Sequence, residues 1–143
     1  MIIREAQDTD INILSELMTH LGYPTTQHQI AARYQAISHH ADYVLFVAET
    51  EKQVVGMVSV MLVLGIEQDG VYGRVNALVV DPQSRKLGVG QQLMKTAEDW
   101  ATAHGAVGMV LNSGNRTERQ AAHQFYRTIG YEPKSTGFVK KLC

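Results

Sequence analysis

The chain predicts an α/β fold of the α+β kind. It would be a mixed, mostly antiparallel twisted sheet with helices on both faces, built as a single domain over residues 1–143. Three observations lead there. Three β-branched stretches follow one another with only short turns between them, the pattern of an antiparallel meander. The second half then alternates strand-like and helix-like segments, which implies α/β crossovers. The helical segments also gather their apolar residues into one stripe, so each has a face to lay on a sheet.

Residues 2–6, Ile-Ile-Arg-Glu-Ala, form a short strand. Asp8, Thr9 and Asp10 supply helix-cap chemistry before a helix over Ile11–Leu21, whose stripe is Ile13, Leu14, Leu17, Met18 and Leu21. Gly22-Tyr23-Pro24 stops it. Thr26 and Gln29 have capping-box spacing and open a second helix that reaches Ser38. Strands follow over Tyr43–Thr50, residues 54–64 and Val71–Val80, with turns at Glu51-Lys52 and Gln68-Asp69-Gly70. Asp81-Pro82 ends the third of these. Glycines 88 and 90 introduce a helix over residues 91–104, with Leu93, Met94, Ala97, Trp100 and Ala101 on one face and Gly105 as its terminator. A strand over 107–112, a helix over 118–129 ended by Gly130, and final strands at Tyr131 and 136–142 complete the chain.

Composition excludes several classes. Thirteen Lys and Arg against fourteen Asp and Glu leave a formal charge of −1, which lacks the basic excess of a general nucleic-acid binder. The longest apolar run, residues 54–66, is shorter than the roughly 20 residues a membrane helix needs. The opening MIIREAQDTD has no apolar signal core, so a cytoplasmic protein without membrane attachment is expected. The lone cysteine, Cys143, allows no internal disulfide. Six histidines occur without a His-x-x-x-His or His-Glu-x-x-His pair, so no metal is expected.

The most informative segment runs from Val79 to Gln91: strand, Asp-Pro turn, Arg85-Lys86, Gly88, Gly90, then helix. Glycines let backbone N–H groups face a ligand, and a helix start offers unpaired donors with partial positive charge. The combination suits a phosphate or pyrophosphate. The dinucleotide fingerprint fails, because Leu93 stands where a third glycine belongs. A Walker A loop fails too, because Gly90 is followed by Gln91-Gln92. A surface turn with an ordinary helix cap would account equally well for the loop alone.

A second segment shifts the balance toward a binding loop. Arg85, Gly88 and Gly90 form Arg-x-x-Gly-x-Gly, and Ala122, Phe125, Tyr126, Gly130 and Tyr131 form Ala-x-x-Phe-Tyr-x-x-x-Gly-Tyr. In this order, after this succession of elements, the sequence resembles the GCN5-related N-acetyltransferase (GNAT) superfamily. The later helix resembles that of the aminoalkylphosphonate N-acetyltransferases. The resemblance implies a sheet whose two central strands splay to admit acetyl-CoA. It also implies direct attack of a primary amine, most simply that of a small molecule, on the thioester.

Carried over, Leu78, Val79 and Val80 would offer backbone groups to the pantetheine arm and to the oxyanion. Arg85, Lys86, Leu87, Gly88, Val89, Gly90 and Gln91 would hold the pyrophosphate. Tyr126 would be the general acid that protonates the thiolate. Two positions depart from the family. Asn76 stands where a Glu base is often found, which leaves Glu67 and His123 as base candidates. Arg119 stands where an Asn often contacts pantetheine. The acceptor region would be residues 22–40 and 65–73, which include Tyr23, His28, Arg33, Tyr34 and His39. It names no substrate. A protein N-terminal or lysine acetyltransferase and a non-catalytic acetyl-CoA sensor stay open beside the small-molecule enzyme. A homodimer is expected by family habit.

Overall fold

The computed structural model describes residues 1–113 and 119–143, and the chain divides into two compact units, Met1–Val110 and Leu111–Cys143. In chain order the elements are β1 (Ile2–Glu5), α1 (Ile11–Leu21), α2 (Gln27–Ser38), β2 (Tyr43–Thr50), β3 (Gln53–Leu64), β4 (Val71–Val80), α3 (Val89–Ala103), β5 (Ala106–Leu111) and α4 (Gln120–Thr128). Element identity follows the sequence reading closely. The capping box at Thr26 and Gln29 is present in both directions. Gly22 closes α1 in the left-handed region, where Tyr23 N–H reaches Met18 O at 2.9 Å.

The sheet order is β1-β2-β3-β4-β5, and β1 through β4 pair antiparallel. The connection from β4 to its neighbour β5 runs through α3, the long crossover that parallel neighbours require. Helices cover both faces, as alternate residues of β3 show. Met57 lies in one buried cluster with Leu14 and Leu17 of α1, Ile30 of α2, Val47 and Val79. A Cβ on the adjacent Gly56 would instead meet Leu93 Cδ1 at 3.1 Å and Val89 Cγ1 at 3.2 Å, both on α3.

The entry to α1 is held by charge. Asp10, expected only as a cap, is buried at 5% exposure. Its carboxylate accepts from Arg4 Nη1 at 2.8 Å, Arg4 Nη2 at 3.0 Å and Gln7 N–H at 2.7 Å. Arg4 Nε also reaches Glu49 Oε2 at 3.4 Å, so one guanidinium ties β1, β2 and the start of α1 together. The Arg4 hydrogen bonds, helped by Gln7 N–H, hold the Asp10 carboxyl below its ordinary 3.8 against the opposing effect of burial. A depressed carboxyl pKa contributes stability that is complete above the ordinary value and lost as the pH falls through the folded one. Asp10→Ala is therefore expected to cost about 2–3 kcal/mol at pH 7, because it strands half of a fork that stays partly in water. Denaturant melts of both proteins should converge below pH 3.8.

One expectation fails. Tyr131 and residues 136–142 are not strands; residues 131–143 carry neither helix nor strand. Their alternating, β-branched and aromatic composition describes a surface suited to a ladder, but a strand exists only where a neighbour supplies the other half.

Candidate active site

In the first unit, β4 delivers the glycine loop. Its end is secured by Asp81 N–H donating to Val55 O at 2.7 Å, and the Asp81 carboxylate accepts from Gln83 N–H at 2.9 Å to shape the turn at Pro82–Ser84. The backbone then turns left-handed twice, at Lys86 (φ 66°) and at Gly88 (φ 82°). Gly88 is the N-cap of α3, which begins at Val89, two residues earlier than its sequence pattern suggested. No side chain caps this end, and a Cβ on Gly88 would meet nothing within 4 Å. The first-turn N–H groups of Val89, Gly90 and Gln91 have no intrahelical partner by construction, and they carry the positive end of a 15-residue helix. Residues Arg85 to Gln91, expected from sequence to hold a phosphate, thus run from a left-handed loop directly into the uncapped first turn of α3.

Gly56 is a residue the sequence reading passed over. It pairs with Val80, and a Cβ there would stand 3.1 Å from Val79 O as well as against Leu93 and Val89. The glycine lets the first turn of α3 settle on the strands. An isolated glycine inside a β-branched run is a signal of such close approach. Val79 itself is 4% exposed and belongs to the core, so any ligand would meet it through backbone alone.

A second feature escaped the sequence. In the β3–β4 ladder Ser59 pairs with Ala77 and Val60 with Val75, so Asn76 is the extra residue of a bulge. The bulge reverses the alternation of β4. Val75 lies with Val60 on the face toward α3, whereas Val79 lies with Met57 toward α1. Unbulged, the two valines would share a face. Asn76 is exposed at this kink, and an amide cannot act as a base.

In the second unit, α4 ends in a Schellman cap: Gly130 at φ 101°, Gly130 N–H on Arg127 O at 3.1 Å, and Tyr131 N–H on Tyr126 O at 2.9 Å. This cap explains the Gly-Tyr that follows the helix, because the returning chain brings Tyr131 to 6.1 Å from the Tyr126 ring, edge to face. Phe125 lies 5.4 Å from Tyr126 in the same manner. Burial raises the Tyr126 phenol above its ordinary 10.0, and the Arg119 guanidinium draws it down by a smaller amount. The hydroxyl is therefore a proton donor at neutral pH. Arg119, the N-cap of α4, donates from Nη2 to Ser113 Oγ at 3.5 Å. His123 is half-buried one turn before Tyr126.

Among the acceptor-region residues, Tyr34 is committed, its hydroxyl donating to Ala6 O at 3.0 Å. Arg33 donates to Thr25 Oγ1 at 3.2 Å, and His39 caps α2 through its contact with Gln35 O at 2.8 Å. Tyr23 and Glu67 are exposed. Residues 114–118 lie outside the described residues, among them Glu118 at the predicted start of the last helix. Among the described residues, no group of three or more His, Cys, Asp or Glu could hold a metal ion, and no helix is long and apolar enough to cross a membrane.

The comparisons agree with this frame. The profile of the acetyltransferase (GNAT) domain matches residues 41–133. An aminoalkylphosphonate N-acetyltransferase of Salmonella typhimurium is 33% identical over 90 residues, a match that covers 63% of this chain and 57% of that protein. The chain thus spans little more than half the length of that curated relative. A solved GNAT family acetyltransferase of Staphylococcus aureus subsp. aureus is similar over 99% of this chain and 98% of its own, with 29% identity and a TM-score of 0.83. The solved glucosamine-6-phosphate N-acetyltransferase of Arabidopsis thaliana shares the fold over 99% of this chain and 98% of its own, with a TM-score of 0.82 at 24% identity. Fold and family together define a GNAT-type domain of mixed, mostly antiparallel α/β architecture. The chain belongs to the GNAT acetyltransferase family.

Proposed function

We propose that the chain is a single acetyl-CoA-dependent N-acetyltransferase domain over residues 1–143, which transfers acetyl to a primary amine of a small molecule by direct attack. The observation that carries this reading is the uncapped start of α3 behind the two left-handed residues Lys86 and Gly88. Its open N–H groups suit the coenzyme pyrophosphate, and the absence of a side chain at Gly88 leaves room for phosphate oxygens.

In this reading backbone groups of Leu78, Val79 and Val80 orient the acetyl-pantetheine arm. One N–H near Val79–Val80 stabilises the oxyanion that forms as the amine lone pair attacks the carbonyl carbon. As the carbon–sulfur bond breaks, Tyr126 Oη gives its proton to the departing thiolate. Arg119 adds a cation for the coenzyme. The proton released by the amine goes to His123 or Glu67, since Asn76 cannot take it. The Salmonella relative's name directs attention to amines that also carry a phosphonate. A homodimer in the cytoplasm completes the proposal.

Purified protein is mixed with acetyl-CoA and panels of aminophosphonates, aminoglycosides, simple amines and peptides, and thiol release is followed. Turnover confined to small amines is expected. Acetylation of peptides alone would move the function to protein substrates. Coenzyme binding with no turnover on any acceptor would favour a sensor.

A further inference from the structure

We infer that the free edge of β5 takes residues 136–142 of a second copy of this chain as an added strand, each copy covering the other. The inference rests on the homodimer proposed above, to which it gives an interface, and not on the coenzyme reading. Among the described residues β5 is the last strand of the sheet, with no strand on its outer side. Edges are ordinarily blunted by charge, proline or shortness. β1, at the other edge, has four residues and carries Arg4 and Glu5. β5 reads Ala-Val-Gly-Met-Val-Leu over six residues, with none of these guards.

The side chains of β5 are as open as its edge. Val107 and Val110 are 68% and 38% exposed. Odd and even positions of a strand lie on opposite faces, so one uncovered face would explain only one of them. A missing neighbour explains both. The turn after β3 widens the patch. Leu64 and Ile66 are exposed there, and a Cβ on Gly70 of the same turn would stand 3.4 Å from Val107 Cγ1.

The occupant is argued from the same chain. Residues 136–142, Thr-Gly-Phe-Val-Lys-Lys-Leu, have strand composition and no strand partner. Phe138 and Val139 are 93% and 99% exposed, so no described part of their own chain covers them. The segment matches the length of β5, and backbone pairing would satisfy the open donors and acceptors of both. The charges also complement each other. Lys140 and Lys141 have no ion-pair partner among the described residues, and neither do Glu67 and Asp69 in the turn beside Val107. Reciprocal exchange about a two-fold axis closes at two copies and leaves no β5 edge for a third.

Sedimentation equilibrium of the full chain across about 1–100 µM should give twice the 15.9 kDa chain mass. Val107→Lys places a charge on the edge, and Phe138→Ser/Val139→Ser removes the apolar part of the segment. All three side chains are exposed, so the circular dichroism spectrum should stay that of the wild type. Each variant alone should weaken the dimer by about tenfold or more. An equimolar mixture of the two variants should form a tighter dimer than either alone, because the intact segment of one chain meets the intact edge of the other. A wild-type monomer throughout the range would sink the homodimer itself. A wild-type dimer that either variant leaves intact, or a mixture no tighter than its components, would overturn the interface alone.

Discussion

Tyr126→Phe is expected to lower kcat by about 10²–10⁴-fold, the range typical for loss of a positioned general acid. Affinity for CoA should be nearly unchanged. The substitution removes one oxygen and leaves the ring, so the edge-to-face contacts with Phe125 and Tyr131 at 5.4 and 6.1 Å are kept. A fall in kcat and kcat/KM together, with the thermal melt unmoved, would mark an interaction made only in the transition state. The pH profile gives a second check. An acid works while protonated, and burial lifts this phenol above 10.0, so the wild-type alkaline limb belongs above that value. Phenylalanine should abolish that limb. Unchanged turnover would remove Tyr126 from the chemistry and leave it a packing residue of α4.

The second large effect concerns stability. Gly73→Ala should destabilise the protein by about 1–3 kcal/mol, the cost of overpacking a tight site. The added Cβ would stand 2.6 Å from Met109 Sδ and 2.9 Å from Ala101 Cβ. Met109 can swing away, but the Ala101 methyl is fixed to α3, so helix and strand must part. By contrast, a Cβ on Gly108 of the neighbouring strand would meet nothing within 4 Å, and Gly108→Ala should stay within about 0.5 kcal/mol of wild type. Paired denaturant melts would show the difference. Equal midpoints would mean that α3 can shift on the sheet at little cost.

Much of the fold was legible because its signals are local. Helix starts and stops sit in short side-chain and backbone patterns, such as Thr26 with Gln29 or Gly22 and Gly130 past their helices. Strand runs are marked by β-branched residues over the length of each element. The loop from Arg85 to Gln91 was legible for the same reason, since its glycines and the helix behind it are contiguous. Arg4 with Asp10 and Glu49 was not, because that network joins three elements whose approach no spacing announces. Residues 131–143 erred the other way, with strand composition and no ladder.

By itself the sequence determined the succession of elements, the family motifs and the placement of the glycine loop before α3, all of them properties of residues near one another in the chain. The tertiary structure decided the rest. The bulge at Asn76 exists only in the register of β4 against β3, and it turns Val75 and Val79 to opposite faces. Gly56 and Gly73 became necessary only when α3 lay across the strands. The raised pKa that keeps the Tyr126 phenol protonated follows from its burial in the folded chain. Each depends on contacts between separated segments, and the free energy of such contacts has no counterpart in local propensity.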